Sequence, residues 1–118
     1  MNNLFHCTVK VRRGTGSGMP AAWLGAYVDC YVAAPDHLSA VRLAAEALGK
    51  QGNIFEDILN QKVHQMDPVG WDQYVVSSWT DMPKGYFPRQ SEVLGLLESG
   101  GAFFGPFMGW ESEPQDNR

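Results

Sequence analysis

The sequence predicts a single α+β domain in which helices cover one face of an antiparallel sheet. Three observations lead there. Two stretches alternate apolar and polar residues with period two, as half-buried strands do, and a glycine-rich loop separates them. A third stretch, rich in alanine, carries its apolar residues at helical spacing between clear start and stop signals. With 118 residues, 44% of them hydrophobic, the chain has material for one core and little room for a second domain.

The first strand is read over 4–12. Phe5, Cys7, Val9 and Val11 fall on one side, and His6, Thr8, Lys10 and Arg12 on the other. Residues 14–20, with three glycines and a proline, cannot hold regular structure cheaply and form a loop. The second strand, over 23–34, places Leu24, Ala26, Val28, Cys30 and Val32 on one side. Trp23, Tyr27, Asp29 and Tyr31 take the other. Antiparallel pairing across the loop would make Cys7 and Cys30 neighbours on the buried face.

Pro35-Asp36 ends that strand, and Asp36 or Ser39 caps a helix carrying Leu38, Val41, Leu43, Ala44, Ala45, Ala47 and Leu48. Gly49 or Gly52 stops it. Residues 53–66 fit two patterns. Phe55, Leu59, Val63 and Met66 have helical spacing, but a bulged strand here would complete a β-α-β unit and is preferred. Asp67 as cap and Pro68 in the first turn open a helix with Trp71, Val75 and Trp79 on one stripe, ending before Met82-Pro83. Pro88 and Ser91 open another, with Val93, Leu94, Leu96 and Leu97, which Gly100-Gly101 stops. Residues 102–110 are apolar and aromatic and form a last strand broken at Gly105-Pro106. From about 111 the chain is polar and reads as a frayed tail. The resulting order suits a ferredoxin-like sheet with its helices on one face.

Composition narrows the function. The net charge is -4, and Lys10, Arg12 and Arg13 form the one basic cluster, which argues against a nucleic-acid partner. The first residues lack a secretory pattern, and no run approaches the ~18 apolar residues of a membrane span. A cytoplasmic protein without membrane attachment is expected, its two cysteines reduced.

Chemistry is sparse. The loop Gly14-Thr15-Gly16-Ser17-Gly18 has neither the lysine of a P-loop nor the spacing of a dinucleotide fingerprint. His6, His37 and His64 show no metal-ligand spacing, and the cysteines form no CxxC pair. Ser77, Ser78 and Ser91 lack a nucleophile turn. No catalytic residue, metal site or cofactor is therefore expected, and the chain reads as a binding protein rather than an enzyme.

Aromatics carry the remaining signal. Trp23, Tyr27 and Tyr31 would share the outer sheet face with Lys10 and Arg12. Such a face suits single-stranded RNA, or burial against a second copy or the C-terminal segment. Trp71 and Trp79 read as core. Tyr86, Phe87, Phe104 and Trp110, in segments rich in proline and glycine, are candidates for a partner surface, because Trp and Tyr dominate interface hot spots. Asp72 and Asp81 join them as acidic groups that would steer a cationic partner.

The run 25–34, the alanine-rich helix after it, and Asp67-Pro68-Val69-Gly70-Trp71-Asp72-Gln73-Tyr74-Val75 resemble small bacterial immunity proteins of polymorphic toxin systems. The resemblance covers roughly 5–80. It implies a non-catalytic cytosolic protein that binds a cognate toxin. It carries no shared functional motif and so implies no site residue.

Overall fold

A computed structural model of the chain describes residues 2–111, so all but the first residue of the predicted tail lies outside the described residues. Eight principal elements follow in order: β1 (Asn3–Arg13), β2 (Gly25–Ala34), α1 (His37–Lys50), β3 (Asn53–Ile58), β4 (His64–Met66), α2 (Trp71–Ser78), α3 (Gln90–Ser99) and β5 (Gly101–Trp110). The strands form one antiparallel sheet in the order β3-β1-β2-β5, with β4 also pairing β1.

The β1–β2 pair follows from the alternation. Cys7 faces Cys30, Val9 faces Val28 and Phe5 faces Val32, so both apolar sets share one side. Residues 53–66 are an interrupted strand. Asn53–Ile58 pairs with one end of β1 and His64–Met66 with the other, separated by a 3-10 turn at Leu59–Gln61. Because β2 and β3 flank β1, the β2-α1-β3 segment is a β-α-β unit with β1 threaded between its strands.

α1 starts where Asp36 accepts the Ser39 amide at 2.8 Å. It lays Ala40, Ala44 and Leu48 onto the sheet at i, i+4, i+8. These meet Phe5, Cys7, Val9, Val11, Ala26, Val28, Cys30, Val32 and Ala34 in the larger core. The helix expected after Asp67-Pro68 begins as a 3-10 turn capped by Asp67, and α2 proper ends at Ser78.

Helices cover both faces of the sheet, not the single face that the sequence predicts. α2 and α3 lie opposite α1, over a second core of Leu4, Tyr31, Trp71, Phe87 and Val93. This arrangement and the strand order depart from the ferredoxin-like expectation. The physical reason lies in β2, whose last five residues, Cys30 to Ala34, are all buried. An unbroken apolar run marks a strand buried on both sides, and it overrides the period-two pattern of the earlier residues.

Three hydrogen-bonded links hold the second layer. The Trp71 indole N–H donates to the Pro88 carbonyl at 2.8 Å. The Gln90 amide donates to the Asp72 carboxylate at 2.9 Å, joining the starts of α2 and α3. The Tyr31 hydroxyl bonds the Tyr74 hydroxyl at 2.7 Å and accepts the Trp79 indole N–H at 2.9 Å. In β5 the register passes from Cys30↔Phe104 to Val28↔Phe107, so Gly105 and Pro106 together oppose Asp29. A bulge on an edge strand is where a residue without an amide proton is tolerated.

Candidate protein-binding surface

The sheet face beneath α2 and α3 is covered over only half its length. Leu4, Tyr31 and Phe103 lie under the helices. Toward the other end, Lys10 and Arg12 of β1, Tyr27 of β2, Met108 and Trp110 of β5, and Ile54 and Glu56 of β3 belong to neither core. Ile54 is 55% and Met108 50% exposed, so no element of the described residues packs over them.

The aromatics of this open half are held in place. Trp110 sits opposite Gly25, and a Cβ there would fall 2.6 Å from the indole, so glycine is required for the ring to lie across the strand. Tyr27 packs on Trp110 with centroids 5.2 Å apart, and the Lys10 ammonium stands 5.3 Å from the same ring. Among the described residues, Trp110 Nε1 is the buried side-chain polar atom without a hydrogen-bond partner.

Charge on the open half is partly neutralised. Glu56 bonds Lys10 at 3.0 Å and also pairs with Arg12. The hydrogen bond from Lys10, aided by the charge of both cations, holds the Glu56 carboxyl below its ordinary range. The outer edge of β5 has no strand partner among the described residues, and its ten residues contain no charged side chain. Such an edge is a template for pairing with another chain.

The other predicted site residues are dispersed. Trp23 is not on the face with Tyr27. It precedes β2 and packs on the α1 side, over Gly109, where a Cβ would sit within 2.0 Å of the ring. Tyr31 is fully buried, and Phe87 is 8% exposed, so neither is a contact surface. Phe104 packs against the larger core. Asp72 is engaged at the start of α2, while Asp81 is exposed in the following loop. Tyr86 is 45% exposed and leans on Phe87. The structure therefore brings Tyr27 and Trp110 together with Lys10 and Arg12, and leaves the rest apart.

One cluster escaped the sequence reading. His6 is not an isolated surface residue: its Nε2 lies 2.7 Å from the Asp29 carboxylate, which also accepts the Thr8 hydroxyl at 2.9 Å. Burial opposes ionisation of Asp29, but these hydrogen bonds and the His6 charge win, and its carboxyl titrates below the ordinary range. His6 stacks on Tyr31, and His64 lies beyond it at 6.5 Å. Hairpin register would have revealed the cluster, since Cys7 opposite Cys30 places Thr8 opposite Asp29. Among the described residues no group of three His, Cys, Asp or Glu could hold a metal ion.

A cleft of about 560 Å³ lies on the α1 side between the glycine loop and β5, walled by Met19, Pro20, Trp23 and Phe107 with Ser17 and Asn53 at one end. Ser17 donates to Asn53 at 2.8 Å, so these polar groups already satisfy each other.

Comparison with known proteins finds no matching protein family, no similar curated protein and no similar solved structure. No helix of the described residues is long and apolar enough to cross a membrane.

Proposed function

We propose that the chain is a non-enzymatic cytoplasmic binding module that recognises another protein through the open half of its sheet and the free edge of β5. The partner class that fits best is a bacterial toxin, which the module neutralises by covering its active surface. One observation carries this reading: half-buried Tyr27 and Trp110 and exposed Met108 form a patch directly beside the β5 edge, which has no strand partner among the described residues. A flat aromatic patch supplies the hot spot, and the edge supplies backbone groups for strand addition. The Lys10–Glu56–Arg12 cluster lies on the same face and gives the partner polar groups to match. An overall charge of -4 favours encounter with a cationic partner.

A single-stranded RNA platform on the same face has less support. It loses Tyr31 to the core and shares both of its cations with Glu56.

Co-expression with a toxin encoded beside the chain tests the proposal. Protection of the cells and a stable 1:1 complex, both lost in the Tyr27→Ala/Trp110→Ala double variant, are expected. Absence of protection and of a complex with every such toxin overturns it. RNA bound at low salt and lost in the same variant would favour the platform instead.

A further inference from the structure

The two cysteines stand apart from the proposed docking surface, yet the fold sets them face to face. Cys7 and Cys30 are direct cross-strand partners in the β1–β2 register. Both are free thiols on the α1 side of the sheet, 2% and 0% exposed. Directly opposed residues of antiparallel strands have Cα atoms about 4.5–5.5 Å apart. A disulfide accepts roughly 4.4–6.8 Å, so the backbone already meets its requirement.

The two thiols face each other across the strand pair, so whichever attacks first leaves the other in place to resolve.

We propose that Cys7 and Cys30 are a redox-modification site, closing to an intramolecular disulfide by exchange with a low-molecular-weight disulfide. One cysteine, as its thiolate, attacks one sulfur of the small disulfide, forms a mixed disulfide and expels one small thiolate. The other cysteine then loses its proton and attacks the cysteine sulfur of the mixed disulfide, and the second small thiolate leaves. The two cysteine protons end on the two small thiols. The cysteine pair loses two electrons and the small disulfide gains them.

Access is through α1. That helix lays Ala40, Ala44 and Leu48 over this side of the sheet, so exchange proceeds through its local opening. Closure then pins β1 to β2 at the centre of the sheet.

The test is to incubate the folded chain with oxidised glutathione without denaturant and follow intact mass, mapped peptides and thermal unfolding. The expected result is loss of two hydrogens and a peptide joining Cys7 to Cys30. The unfolding midpoint should rise by roughly 10 °C and return on addition of dithiothreitol. Cys30→Ser should stop at one glutathione adduct on Cys7. A urea-unfolded sample at the same glutathione level shows that the oxidant is competent. The proposal is overturned if that sample oxidises while the folded chain keeps two free thiols. It is equally overturned if the folded chain ends with glutathione adducts and no cross-link.

Discussion

The two halves of one sheet face use the same kinds of residue to opposite ends. Under α2 and α3, Tyr31 and Phe103 meet Trp71, Tyr74 and Phe87 edge to face and in stacks, and the Tyr31 hydroxyl finds two partners. At the other end, Tyr27 and Trp110 pack on each other and on Lys10, with Met108 exposed beside them and Ile54 exposed on β3. The first half has more hydrogen bonds and fully buries Tyr31 and Trp71, and so holds the fold together. The second is ordered, its rings half-buried and Met108 and Ile54 exposed, with no helix of the described residues over it. Aromatic content alone does not separate core from interface; what covers the ring does.

The comparison can be broken at four places. Trp71→Ala should cost most, about 3–5 kcal/mol by chemical denaturation, since it empties the centre of the second core and removes the tie to Pro88. An equal cost for Trp110→Ala would erase the distinction between the halves. Asp29→Ala comes next, at about 2–3 kcal/mol near neutral pH, because it strips His6 and Thr8 of their shared acceptor.

The Asp29 carboxyl also has a pH signature. Its folded-state value is depressed, so its contribution is present above the ordinary carboxylate range near pH 4. That contribution is lost as pH falls through the lower folded value. Acid titration of stability should therefore be flatter in Asp29→Asn than in the parent chain.

Third, Tyr27→Ala should change stability by only about 1 kcal/mol while weakening partner binding by more than about 2 kcal/mol, read by calorimetry on the complex. Last, Glu56→Gln should cost about 0.5 kcal/mol, since its pairs with Lys10 and Arg12 are partly solvated. It should be felt in the salt dependence of association more than in stability.

Much of the fold was legible in the residues themselves. Alternation fixed β1 and β2 and put Cys7 beside Cys30, and Asp36, Asp67 and Gly100 marked helix boundaries at the positions observed. The second layer was not legible, because Tyr31 reads as an outward tyrosine when each strand is taken alone. Only the unbroken run Cys30–Ala34 betrays burial on both faces. Trp23 was misplaced for a local reason: the strand begins at Gly25, and the turn at Pro20 sends the indole to the α1 side. Phe87 lies in a proline-rich loop, which reads as surface, but that loop folds onto Trp71 and Tyr31. Of the candidate surface, Tyr27 and Trp110 were identified singly. Their meeting across Gly25 required β5 to be placed beside β2.

That placement has a consequence for synthesis. β2 can pair with β1 as soon as the hairpin is made, but its other edge waits for β5, the last strand described. At ribosomal rates of ~5–20 residues per second, the intervening segment takes roughly 3–13 seconds to emerge. For that interval Cys30, Val32 and Ala34 present an apolar strand with unpaired backbone. A nascent chain stalled before Gly101 should therefore recruit chaperones or aggregate, whereas one extended past Trp110 should not.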